Sequence, residues 1–305
     1  LPIKALGGVT IPLITGWISL FIIIIFHEFG HGVIAKAHGV KIKSSGIAFF
    51  GPLLGAFVEP DEKQLVKKPH RVQHSIFAAG PFSNILLWGL AIILLLGIGR
   101  IVEGISYSEG VSISVMDNKT LPAYISGMPN QTIITSINGV PIRYREDLEN
   151  ALSNASPGQE IEIETKNGTF NLVLASHPEN ETKPYMGIWI HGAELQLKYN
   201  GILWELLYSF LNWLITLLFW VQLLSINIGL INLFPVFITD GARMLKLNFE
   251  AVFKPKLANK LWTYTNFLGL FIIFILLSKF FINLFEGLLL FSNFLLATFL
   301  SLVFR

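Results

Sequence analysis

Apolar residues run along this chain in long blocks rather than in short amphipathic clusters. Residues 11–26 are almost wholly apolar, and the block carries on through His31 to Ala37. At about 1.5 Å per residue, that length crosses a hydrocarbon layer of roughly 30 Å, and Gly39 reads as its end. Residues 75–98 predict a second span, and 201–234 a third that exceeds one crossing, so it is tilted, bent or extended. Residues 262–277, continuing to Phe281, and then 284–304 predict a closing helical hairpin. The pattern therefore predicts a polytopic α-helical membrane protein of about five transmembrane helices.

Two stretches break it. Residues 47–59 are apolar and aromatic, yet too short and too interrupted by Gly51, Pro52 and Gly55 for a spanning helix; they predict paired strands, a membrane-associated β-hairpin. Irregular backbone survives at membrane depth only when covered by protein or facing a wet cavity. This hairpin is either a wall of a polar site or an interfacial loop with its side chains dipped in lipid. Residues 104–197 have the composition of a soluble α+β domain. Short β patterns at 133–137, running into the Asn138-Gly139 turn, at 160–165 and at 170–174 bracket a helix at 145–152. The expected division is 1–103 with the first two spans and the strands, 104–198 the inserted domain, 199–247 the third span and its exit, and 248–305 the closing hairpin.

Composition agrees with a membrane protein: 52% of the 305 residues are hydrophobic and 14% charged, with a mean hydropathy of +0.60. A scattered net charge of +2 excludes a nucleic-acid partner, and with no cysteine any metal must be held by His, carboxylate and water. Between Lys36 and Arg71 seven basic residues face three acidic ones, and Arg243, Lys246, Lys254, Lys256 and Lys260 face only Glu250. From Glu103 to Lys198 twelve acidic residues face six basic ones. By the excess of Lys and Arg on cytoplasmic loops, the two basic stretches are cytoplasmic and the inserted domain extracytoplasmic. Sequons beginning at Asn118, Asn130, Asn154, Asn167 and Asn180 point the same way. The chain opens on Leu1 without a signal-peptide pattern, and further residues upstream, including another span, are expected.

Chemistry gathers at His27-Glu28-Phe29-Gly30-His31, at the end of the first apolar block. Residues four apart stack on one helix face, so both imidazoles can reach one Zn²⁺ while Glu28 addresses water beside it. Ionisable groups at such depth line polar cavities and act there. A catalytic zinc needs a third protein ligand and one open position, and Asp240 supplies that ligand. Pro235 is expected to break the preceding helix and Gly241 to loosen the backbone after it, leaving Asp240 on irregular structure. Gln222, Ser225, Gly229 and Asn232 form a polar or small stripe leading to it, and Gly80 with Asn84 offers a close helix approach plus one amide; helix packing explains both as well as catalysis does. Weaker ligand candidates are His38, Glu59, and His70 with His74; His177 and His191 read as ordinary domain residues.

Ser126-Gly127-Met128, then residues 133–142 and Asp147-Leu148, resemble a PDZ domain, with Gln131-Thr132 where Gly-Asp is usual. That resemblance implies docking of a peptide or protein segment by strand addition. His27-Glu28-x-x-His31, Gly80-Pro81 with Asn84, the PDZ-like insert, and Asn232-x-x-Pro235 leading to Asp240-Gly241 together resemble the site-2 protease family of intramembrane zinc metalloproteases. The resemblance implies one zinc per chain on His27, His31 and Asp240, Glu28 as general base, and Asn84, Asn232 and Pro235 as contacts to a single-span transmembrane substrate. Phe237 and Thr239 stand where the family often carries proline and leucine, which bears on the shape of that loop. The implied reaction is cleavage within or near a substrate's transmembrane helix, freeing a cytosolic domain. A zinc or proton transporter would need no Glu28, and no inverted repeat is visible. A non-catalytic PDZ-bearing binder has no use for it either.

Overall fold

The computed structural model describes residues 2–4, 10–50 and 53–278. The chain divides into two compact units, Leu1–Gly97 with Asn212–Arg305, and Ile98–Leu211 between them. Strands β1 (Pro2–Lys4) and β2 (Thr10–Pro12) pair antiparallel and lead into helix α1 (Leu13–Ala37). An antiparallel pair comes next, β3 (Ile42–Phe50) and β4 (Leu53–Pro60), then a single turn α2 (Glu62–Leu65) capped by Asp61, and the 36-residue helix α3 (His70–Ile105).

The second unit contains β5 (Ser106–Val115), α4 (Pro122–Ile125), β6 (Gln131–Ile137), β7 (Val140–Pro141), α5 (Arg145–Ser153), β8 (Glu160–Thr165), β9 (Gly168–Val173), β10 (Ala175–His177), β11 (Asn180–Tyr185) and β12 (Ile188–Leu197). The chain then returns through α6 (Ile202–Leu233), α7 (Asp240–Val252) and α8 (Pro255–Ser278). Among the described residues α1, α3, α6 and α8 are long and apolar enough to cross a membrane. The last predicted span, 284–304, lies outside the described residues.

In the first unit, α1 is built inside-out relative to a soluble helix. Its buried positions include Thr15, Gly16, Ser19, Ile23, His27 and Gly30, spaced mostly three or four apart, while Ile14, Phe26, Phe29 and Val33 are exposed. Small and polar residues face the other elements and large apolar ones face outward, as membrane helices require when packing rather than water exclusion joins them. The β3–β4 pair lies against α1, and Gly32 gives it room: a Cβ there would stand 3.1 Å from a Val58 methyl. Pro81 sits inside α3, so the Phe77 carbonyl lacks its usual helical donor.

The second unit is an antiparallel sheet ordered β12-β5-β6-β8-β9, with β7 paired to β6 across the Asn138-Gly139 turn. Both turn residues have positive φ, 49° and 74°, as a two-residue hairpin demands. Val111, Ile113, Ile134, Ile163 and Leu148 are fully buried in its core. Strands β5 and β12, which the sequence reading does not include, carry serine, glycine and charged residues among their apolar positions. Leu148→Ala should cost about 2–5 kcal/mol by cavity formation. The expected readout is faster limited proteolysis of the insert in the full chain with unchanged zinc content.

Candidate metal centre

Three side chains from distant parts of the chain converge in the first unit. His27 and His31 lie one turn apart on α1, and their Nε2 atoms stand 3.2 Å from one another. Asp240 Oδ2 stands 3.2 Å from each of them. All three side chains are 10–12% exposed. Three ligands at the usual zinc bond length of about 2.0–2.2 Å and the tetrahedral angle would lie roughly 3.3–3.6 Å apart. The donor set, two nitrogens and one carboxylate oxygen, thus fits a zinc site that keeps its fourth position open. Among the described residues no second group of this kind occurs.

The local sequence places each ligand. Gly80 of α3 lies against the two rings: a Cβ there would fall 2.6 Å from His27 Nε2 and closer still to His31 Nε2. Gly30 of α1 admits α3 in the same way, where a Cβ would meet Ser83 and stand 2.6 Å from the Ala79 carbonyl. The close helix approach expected at Gly80 is therefore an approach to the ligands themselves. His31 Nδ1 donates to the Ile76 carbonyl at 2.7 Å, which keeps its proton on Nδ1 and leaves the Nε2 lone pair free.

Asp240 does not lie on irregular backbone, as expected from sequence; it opens α7. The helix α6 ends at Leu233, and the Thr239 hydroxyl organises the turn. It donates to the Phe234 carbonyl at 2.6 Å and accepts from the amides of Val236 and Ala242, both at 3.3 Å. The last of these is the N-cap bond of α7. Gly241 does not loosen the helix either: a side chain there would run into the Leu233 backbone. Phe237 packs edge-on against Trp262 and Phe267. The two departures from the expected motif are thus filled, one by a capping hydroxyl and one by an aromatic contact to α8.

Glu28 Oε2 accepts the Val58 amide at 3.0 Å, so β4 holds this carboxylate beside the ligands. A cavity of about 680 Å³ opens on the group, lined by His27, Glu28, His31, Val58, Asn232, Asp240 and Arg243 among others. Phe57, Val58 and Glu59 of β4 line this cavity. Asn232 lines this cavity, Pro235 packs against Gly269 of α8, and Asn84 is fully buried with its amide nitrogen 3.2 Å from His27 Nδ1. Glu59 borders the cavity but accepts from Ser44 at 2.7 Å, and His38 lines a separate apolar groove between α1 and α3. His70 and His74 join no ligand group; His177 meets Tyr185 edge-on, and His191 meets Ser114 at 2.6 Å. Sequence reasoning missed Thr239, although Thr-Asp ahead of a helical pattern is an N-cap signal.

The model of peptidase family M50 matches residues 15–276. The chain belongs to this family, the site-2 protease family that its motifs resemble. An uncharacterized protein of Methanocaldococcus jannaschii is 33% identical over 220 residues, covering 71% of this chain and 56% of that protein. The zinc metalloprotease RasP of Shouchella clausii is 24% identical over 240 residues, covering 64% and 54%. The regulator of sigma-W protease RasP of Bacillus subtilis is 25% identical over 239 residues, covering 64% and 54%. The chain thus spans about half the length of these relatives.

Two substitutions test how M50 residues outside the ligand set hold it. Gly80→Ala should drive a methyl into both imidazoles and abolish stoichiometric zinc in elemental analysis. Thr239→Ala should lose a cap worth about 0.5–2 kcal/mol and lower zinc content, while Thr239→Ser keeps both.

Proposed function

We propose that this chain is an intramembrane zinc metallopeptidase that hydrolyses a peptide bond within or near a transmembrane helix of a membrane-tethered protein. The observation that carries the reading is the meeting of His27, His31 and Asp240 at 3.2 Å beside Glu28 in one cavity. A zinc ion on these ligands supplies Lewis acidity, polarising a carbonyl and lowering the pKa of water at the open position.

The chain's own residues do the rest. Glu28, anchored through the Val58 amide, takes the proton from the attacking water and passes it to the leaving amine. A substrate helix hides its carbonyls in hydrogen bonds and must unwind to reach the site. The β4 backbone beside the cavity offers an unwound segment a strand to pair with, and the Asn232 amide offers its freed backbone a partner. Substrate contact at Pro235 would be indirect, through the turn that it starts.

The charge pattern supports a metal centre toward the cytoplasmic side and an extracytoplasmic insert, so that cleavage frees a cytosolic domain. Within the insert, β12 is an edge strand with α5 near it, which supports its PDZ-like use as a peptide-docking edge.

The test is reconstitution in vesicles with a panel of single-span helices. Wild type should cleave at least one, and a chelator should stop it until zinc is restored. Glu28→Gln should keep stoichiometric zinc and lose about 10²-fold or more in rate, the scale of one general base. Wild-type cleavage by Glu28→Gln removes the role assigned to Glu28, and zinc flux without proteolysis replaces the reading with transport.

A further inference from the structure

We infer that Asn84 is a positioning residue for His27, turning its amide oxygen toward His27 Nδ1 so that the ring's Nε2 lone pair faces the metal. The inference rests on the proposal that His27 is a ligand. The two rings differ in what holds their far side. His31 Nδ1 meets a backbone carbonyl, which can only accept, and so the ring must carry its proton there. His27 Nδ1 meets the Asn84 side chain at 3.2 Å, and the atom facing it is Nδ2, a donor.

A donor at that place requires the His27 proton to sit on Nε2, the atom that a metal needs bare. On the same side chain Oδ1 is buried with no partner. A half-turn of the amide brings Oδ1 to His27 Nδ1–H, which gives the orphaned oxygen a donor and frees Nε2. The oxygen and nitrogen fill nearly the same space, so the turn needs no repacking.

The rest of the residue is fixed. The Asn84 backbone carbonyl accepts the Ser225 hydroxyl at 2.8 Å, and Gly229 of α6 leaves room where a Cβ would stand 3.3 Å from Asn84 Cβ. Asn84 is 0% exposed, so solvent does not stand in for it. Asn84 therefore acts through His27 rather than on substrate.

The experiment is zinc affinity by chelator competition on the purified full chain, with the Co²⁺ absorption spectrum beside it. Asn84→Leu removes the acceptor at similar volume and should weaken zinc about 10- to 100-fold and shift the cobalt bands. Asn84→Asp keeps an acceptor and should hold zinc within a few-fold of wild type. Wild-type affinity in Asn84→Leu, or an equal loss in Asn84→Asp, overturns the inference. His27→Ala separates the two readings, because zinc bound as tightly without His27 sinks the metal site and not the role of Asn84 alone. If Asn84→Leu does not fold, magnetisation transfer in zinc-loaded wild type decides: a signal from His27 Nδ1–H to Asn84 Cγ is expected, and a His27 Nδ1 bonded to the amide NH₂ overturns it.

Discussion

Two imidazoles and a carboxylate stand 3.2 Å apart among helices whose outer faces are apolar, and the rest of the first unit answers to that meeting. An ionisable group at membrane depth is costly unless it is partnered. The partners here are mostly backbone. The Ile76 carbonyl accepts a hydrogen bond from His31 Nδ1, the Val58 amide holds Glu28, and the Thr239 cap starts the α7 helix at Asp240. Backbone partners require the elements that carry them to come close, and closeness requires missing side chains. Gly30, Gly32, Gly80 and Gly241 stand at contacts where a methyl group would collide or crowd. Small residues on the inner faces are therefore a consequence of the polar group they surround.

This division explains what the sequence disclosed. The spans were legible because their signal is hydropathy summed over about twenty residues, which no single position can spoil. The residues that meet were legible because their chemistry belongs to their side chains: two histidines at helical spacing, a glutamate between them, and an aspartate after a helix break. The groups that support them were not legible. An amide at Val58 or a carbonyl at Ile76 leaves no mark in residue identity, since every neighbour in the chain offers the same groups. Gly80 and Asn84 announced a helix contact without saying that the object approached was an imidazole. Phe237 and Thr239 looked like defects in a motif because the motif describes proline stiffness, and this chain obtains its turn from a hydroxyl and an aromatic cluster.

The polar stripe on α6 shows how ligand and cavity are tied together. Its members divide the work along one helix face: Ser225 bonds to the Asn84 backbone, Gly229 lies on Asn84 and Pro81, and Asn232 reaches the cavity. One residue beyond Asn232 the helix ends, and α7 begins with Gly241 resting on the Leu233 backbone. Asp240 is thus held against the same terminal turn that presents Asn232, not hung at the end of a free loop. A shift of α6 relative to α1 would move the carboxylate and the Asn232 amide together. Since Ser225 and Gly229 pin α6 to α3, and Gly80 and Asn84 of α3 contact the ligand rings, no one of these helices can move without disturbing the metal group. The β3–β4 pair stands outside this triangle: it holds Glu28 through the Val58 amide, and its residues Ile47 and Phe49 are exposed.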